Sequence, residues 1–392
     1  MHRSAASIAA AGMLALAIAM GVGRFAYTPL MPMMADDAGL TIAAGSWLAS
    51  ANYIGYLLGA LTAAALPMRG ATAIRLGLAI ISVTTLGMGL LHGYAGWLVL
   101  RALAGVASAW VLVRVSAWSL ARLAPLHRPL LRSTVFAGVG VGIMLAGALC
   151  LAMMAIAADS SRAWLVLGGM SALAAVAIAP VFGERTADTR APAPHLEQAA
   201  RPAHGETMRL VLCYGAFGFG YIIPATFLPL MAKQTIADPA VFGWSWPIFG
   251  AAATASTLGV AALARSYANR RIWIGSHLVM ALGVALPLVA PGMGAIATAA
   301  LLVGGTFMVA TMTGIQEAHA VAGKSATPLI GAMTAAFALG QIAGPLAASA
   351  AVRLTGSFSA ALAAASALLV LSAWALDAGK VKVCSHQTEV PR

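Results

Sequence analysis

Charge is what this sequence has least of. Among 392 residues there are 11 acidic and 23 basic ones, 9% in all, where soluble domains carry about 25%. Apolar residues make up 61%, far more than a water-facing surface and one core can hold, and a soluble globular domain is excluded. Cysteine is nearly absent: Cys150 and Cys213 sit inside apolar runs and Cys384 lies in the tail, so neither a disulfide framework nor a metal spacing is present. Basic clusters are missing too. The net charge of +12 comes from residues scattered singly between apolar runs, with no stripe to follow a phosphate backbone, which argues against nucleic acid as a partner. No His, Asp, Glu or Ser constellation converges at one membrane face, so a polytopic membrane enzyme stays an alternative without residues to carry it.

What the chain has instead is apolar runs of about 20 residues, the length at which a helix crosses a hydrocarbon core. Twelve are expected, near 8–34, 43–66, 74–92, 95–120, 133–157, 163–182, 209–232, 240–264, 272–290, 293–316, 327–352 and 357–377. No run alternates with period two, and backbone groups in lipid must be satisfied internally, so the runs are helices in an all-α polytopic membrane protein. The first run continues through "RFAYTPLMPMM" with no polar cleavage region and reads as a span, not a secretion signal. With the N-terminus inside, 17 Lys and Arg fall in cytoplasmic segments and three (Arg162, Lys233, Arg353) outside. That split predicts both termini in the cytoplasm of an inner membrane. A Pro-rich, charged stretch at 183–208 reads as a linker between halves at 1–182 and 209–378, with a cytoplasmic tail at 379–392.

The halves resemble each other at an offset of 197: Gly21 meets Gly218, Gly23 meets Gly220, Pro32 meets Pro229, Met34 meets Met231, Ala35 meets Ala232 and Trp47 meets Trp244. Such parallel repeats recur in transporters. "RALAG" (101–105) early in the fourth span, "GVGVGIMLAG" (138–147) in the fifth and "GQIAGP" (340–345) in the eleventh add to this. With these segments the chain resembles the major facilitator superfamily, and "GVGRFAYTPLMPMM" with "WLASANYIGYLLGAL" (47–61) resembles its YbfB/YjiJ branch. The resemblance implies two six-helix halves working by alternating access, with spans 1, 4, 7 and 10 lining a central cavity. One departure stands out: "LPMRGATAIRLG" (66–77) lacks the superfamily's Asp-Arg-x-Gly-Arg-Arg signature.

Two further patterns are decoys. "GVGRFA" fits a dinucleotide fingerprint but follows no strand, and Gly323-Lys324-Ser325 ends a phosphate loop whose first glycine is Ala318. No cofactor is expected.

Ionisable groups within spans are rare and expensive, about 2.5–3.5 kcal/mol on insertion scales, and mark functional candidates. Here they are Arg24 in the first span, Arg101 and Arg114 in the fourth, and Glu317 at the end of the tenth. Arg24 is about ten residues from its helix end, too deep to snorkel, so it faces a cavity or a partner. Arg101 is a substrate contact or a carbonyl anchor. Arg114 shares a face with Trp110 and Trp118, which suits a cation–π sandwich. Asn52 and Tyr56, four apart, and Tyr221, the counterpart of Arg24, complete the candidate substrate site. Glu317 is the candidate coupling or gate residue. A centre with arginines and no carboxylate favours a small anionic organic solute. The alternative is a proton-driven exporter of hydrophobic or drug-like compounds that uses Glu317.

Overall fold

The computed structural model describes residues 4–63, 68–126, 128–182, 204–236, 238–290, 292–323 and 326–378, and among them the chain forms helices and turns without a strand. The twelve long helices are α1 (Ala5–Asp37), α2 (Ile42–Ala63), α3 (Gly70–Leu90), α4 (Tyr94–Leu123), α5 (Pro129–Ala155), α6 (Ser160–Ile178), α7 (His204–Thr235), α8 (Ser245–Ser266), α9 (Asn269–Val289), α10 (Met293–Ala322), α11 (Ala326–Thr355) and α12 (Ser359–Asp377). Eleven are long and apolar enough to cross a membrane. The other, α2, has 22 residues but carries Ser46, Ser50, Asn52, Tyr53 and Tyr56. Several ends differ from expectation by four to six residues: α3 and α5 begin earlier, α7 begins within the expected linker, α8 begins at Ser245, after 240, and α10 runs past residue 316, so that Glu317 is helical. Most of the expected linker and the tail lie outside the described residues.

The spans present apolar side chains outward, as lipid requires, and hold buried polar side chains within a largely apolar core. Leu173, Val176, Val289 and Trp374 are exposed, while Arg24, Asn52, Arg101, Ser108 and Gln341 are buried. Many hydroxyls turn back to a carbonyl four residues earlier, as Ser82 does to Leu78 and Thr257 to Ala253, so they add no unsatisfied donor. Because lipid offers no hydrophobic drive between helices, association depends on close approach. In α2 and α4 small residues permit it: a Cβ on Gly105 would stand 2.0 Å from the Asn52 carbonyl oxygen, and one on Gly55 would stand 2.0 Å from that of Ala102. The glycine of "RALAG" is therefore a packing residue.

Helices α1–α6 and α7–α12 form two six-helix halves, which meet where α1 packs on α7, α2 on α11 and α5 on α8. Under the 197 offset α2 corresponds to α8 and α5 to α11, so the last two interfaces are one interface repeated. Two polar ties fit the same symmetry. The Thr28 hydroxyl donates to the Ala225 carbonyl at 2.8 Å, and Lys233 forms an ion pair with Asp36. Each pair is separated by 197 positions, so repeat counterparts touch across an axis running between α1 and α7.

Replacing Gly105 by Leu would force α2 and α4 apart. Overpacking costs about 1–3 kcal/mol even where neighbours can shift, and here the neighbour is backbone. The variant is expected to lose monodisperse elution in detergent or to melt well below the native protein; an unchanged melting temperature would contradict this packing.

Candidate functional site

The site begins with a local break in helix geometry. Within α1, residues Ala17–Phe25 form a π-helix, in which each N–H reaches a carbonyl five residues back instead of four. Glycines at 21 and 23 lower the preference for the tighter form. Pro29 supplies no N–H to the carbonyls four or five residues earlier, those of Phe25 and Arg24. Freed carbonyls in a membrane need other donors, and side chains from α2 and α4 provide them. Asn52 Nδ2 donates to the Gly23 carbonyl at 3.1 Å and to that of Arg101 at 2.9 Å. Arg101 donates through Nη1 to the Gly23 carbonyl at 3.3 Å and through Nη2 to that of Arg24 at 3.1 Å. The single Ser108 hydroxyl lies 2.7 Å from both the Ala19 carbonyl of α1 and the Ala104 carbonyl one turn earlier in α4. The Arg101 guanidinium also stands over the Tyr27 ring, 4.8 Å from its centroid.

Arg24 lies inside this widened segment and is only 3% exposed. Its guanidinium stands over the Tyr56 ring at 4.0 Å, with Phe25 at 5.2 Å and Tyr53 at 5.4 Å. Ring faces attract a desolvated cation by about 2 kcal/mol, which offsets part of the burial cost. Arg24 Nη2 donates to Gln341 Oε1 on α11 at 3.0 Å, and Nε has no hydrogen-bond partner. No carboxylate pairs with it among the described residues. Gln341 Nε2 in turn donates to the Tyr221 hydroxyl. The Tyr221 ring is nearly parallel to Phe307 on α10 (5°, centroids 5.7 Å apart) and to Phe337 on α11 (8°, 5.6 Å). An amide and a phenol from one half thus meet a guanidinium from the other, and that guanidinium keeps donor capacity in reserve.

Of the candidate substrate residues, Tyr56 lies against Arg24 and Tyr221 is joined to it through Gln341, while Asn52 and Arg101 donate to carbonyls of α1. Arg114 Nη2 donates to the Ala63 carbonyl at the end of α2, at 2.7 Å. Of the two tryptophans on its face, Trp118 has the Arg122 guanidinium over its ring, at 4.5 Å, and Trp110 Nε1 donates to Thr62 Oγ1. Glu317 joins a charge cluster within the second half. Its carboxylate lies 2.9 Å from Arg270 Nε, Arg270 also pairs with Glu206, and Glu206 accepts from Arg209 at 2.6 Å.

Gln341, Tyr53, Ser108 and the π-helical segment were missed by sequence reasoning. Gln341 had a signal: it is a lone amide in the Gly-rich "GQIAGP", in a span where each uncharged polar side chain also needs a partner. A separate cavity of about 560 Å³ lies in the first half and is lined in part by Asp37, His92, Tyr94, Trp97 and Asp159. Its carboxylates already serve α6: Asp37 accepts from the Ser160 N–H and hydroxyl, and Asp159 accepts from the Arg162 N–H at 2.7 Å.

Arg101→Lys tests the anchoring role. Lysine keeps the charge but cannot fork across two carbonyls, and losing charged hydrogen bonds to buried acceptors costs about 1.5–3 kcal/mol. The variant is expected to insert and fold with a clearly lowered melting temperature; native-like melting would remove Arg101 from the clamp.

The comparisons with known proteins agree with this architecture. No curated protein sequence matches the chain. Among solved structures, a mutant of the nucleoside transporter NupG superposes with a TM-score of 0.73 at 13% identity, covering 95% of this chain and 99% of that one. The human organic anion transporter MFSD10 (TETRAN) superposes with a TM-score of 0.65 at 16% identity, covering 96% and 100%. At these identities the likeness is one of fold. Residues 16–377 match the family model described as uncharacterised MFS-type transporter YbfB, and the chain belongs to that family of multi-pass membrane transporters.

Proposed function

We propose that the protein is a secondary active transporter that moves a small organic anion by alternating access, with Arg24 holding the anionic group. The observation that carries this reading is Arg24 itself: a buried charge at the junction of the halves, with no carboxylate partner among the described residues and Nε unused. A guanidinium takes a carboxylate through two parallel N–H donors, a stronger and more directional contact than a neutral amide provides. Tyr56 and Tyr221 flank the position an anion would take.

The basic-residue split supports an inner-membrane orientation with both termini in the cytoplasm. The Asp36 end is then external and the Glu317 end cytoplasmic. The ties between halves described above, Thr28 to Ala225 and Lys233 to Asp36, fall on the external side of Arg24. So does a contact between the Tyr53 and Thr226 hydroxyls at 3.2 Å. These ties suit a conformation closed to the outside, and rocking of the two halves about the Arg24 level would open it. The names of the two structural neighbours, a nucleoside and an organic anion transporter, set useful comparison compounds. The export reading relies on Glu317 as a titrating group, and its ion pair with Arg270 favours a structural clasp instead.

The deciding experiment is a thermal-stability screen of purified protein against organic anions, organic cations and nucleosides, followed by Arg24→Lys. Anions are expected to stabilise the native protein. Arg24→Lys should fold yet bind them about 10–100-fold more weakly, the equivalent of one charged hydrogen bond. Selective stabilisation by cations, or unchanged anion binding in the variant, would overturn the reading.

Glu317→Gln separates clasp from coupling. Loss of one partner from a buried pair costs about 3–5 kcal/mol, here lessened because Arg270 retains Glu206. The variant is expected to melt lower while the pH dependence of transport persists. A native melting temperature with flattened pH dependence would assign proton coupling to Glu317.

A further inference from the structure

Gln341 belongs to the second half yet supplies the hydrogen-bond acceptor for Arg24 in the first. It is completely buried, and its two ends are both engaged, Oε1 by Arg24 and Nε2 by Tyr221. The next residue in α11 is tied as well, since Ser50 Oγ on α2 donates to the Ile342 carbonyl at 3.0 Å. An amide oxygen 3.0 Å from a guanidinium nitrogen occupies the place a carboxylate oxygen takes in a charged pair, but without the charge. The amide brings no opposite charge to this contact, whereas a carboxylate adds Coulomb attraction and a second parallel hydrogen bond, so such an oxygen can be displaced by an anion.

We propose that Gln341 is an internal stand-in for the anionic group of the substrate: it caps Arg24 when the site is empty, joins α1 to α7 and α11, and gives way when an anion binds. This inference rests on the anion reading above and adds a consequence to it. Binding and the connection between the halves become coupled, because both two-donor forks of a guanidinium, Nε with Nη2 and Nη1 with Nη2, include the nitrogen that now donates to Gln341, so a carboxylate held by a fork competes with the amide there. Empty protein stays closed at the Asp36 end through the amide, and loaded protein has exchanged a contact between halves for a contact to solute. Gln341 is then a positioning residue whose neutrality sets how readily an anion enters. Tyr221 keeps a hydrogen-bond partner through the exchange only where the incoming group, or the released amide, remains within reach of its hydroxyl.

Two variants of opposite effect test this. Gln341→Glu is nearly isosteric and turns the contact into an ion pair, and Gln341→Leu removes it. Spin labels on cysteines placed at Ala38 and Val241, which are exposed on opposite halves at the Asp36 end, report the separation of the halves without any ligand. Cys384 is replaced by serine, and the buried Cys150 and Cys213 stay. Gln341→Glu is expected to narrow the distance distribution around the short separation, and Gln341→Leu to add a longer one. Benzoate and glutarate serve as probe anions in the same preparations. Relative to the native protein, the better-bound probe should bind Gln341→Glu about tenfold more weakly and Gln341→Leu more tightly, with the gain in affinity accompanied by slower turnover.

Native-like distances in both variants, or equal probe affinity in native protein and Gln341→Glu, would overturn the proposal. If the distances shift as expected while neither probe binds native protein or Gln341→Leu, the anion reading falls and the tie between the halves stands.

Discussion

Everything near the centre of this protein follows from burying one guanidinium in a membrane without giving it a carboxylate. Insertion of a charge at that depth is unfavourable by about 2.5–3.5 kcal/mol, and the surroundings of Arg24 must offset that cost. The Arg24 charge is therefore met by weak, adjustable partners: the face of Tyr56, the edges of the cage formed with Tyr53 and Phe25, and one amide oxygen. A carboxylate would have satisfied it better and held it permanently. The choice of soft partners leaves the charge stabilised enough to fold and still able to attract an anion.

Aiming that side chain is the task of the backbone around it. A widened turn in α1 leaves carbonyls that the helix cannot use, and the polar residues of α2 and α4 exist at their positions to take them. Arg101 thus resolves two burial problems at once, since its own charge is spread over two carbonyl dipoles and the Tyr27 ring. The same arrangement explains why α4 must approach α2 closely: Asn52 reaches both the α1 carbonyl and that of Arg101 only because Gly105 lets the two backbones touch.

Much of the fold was legible because the membrane imposes it. Run length gave the spans, and the repeat at 197 appears physically as Thr28 against Ala225 and Lys233 against Asp36. The counterparts Trp47 and Trp244 are also exposed to the same degree, 53% and 52%, as aromatic anchors at a common interface would be. Arg24 was legible from depth alone. For Arg101 the sequence left a substrate contact and a carbonyl anchor both open, and the carbonyls met by Asn52 and Arg114 were not legible, because no spacing in a sequence says which carbonyls on another helix lie within reach of a side chain. Gln341 was overlooked for a related reason: attention to charge passes over an amide, although in lipid an amide needs partners just as a hydroxyl does.

The repeat is symmetric in backbone and asymmetric in chemistry, and the asymmetry is where function can reside. Arg24 and Tyr221 occupy equivalent positions, yet one brings a cation and the other a phenol, and both converge on the same side chain of α11. The ends of the molecule differ in a parallel way. At the Asp36 end the ion pair joins the halves, while at the other end Glu206, Arg209, Arg270 and Glu317 bind one another within the second half. Ion pairs among these residues stiffen that half as a body. In the proposed rocking of the halves, the polar contacts to be broken are those at the Asp36 end and the amide in the middle, and the proposed exchange at Arg24 sits at the fulcrum of that motion.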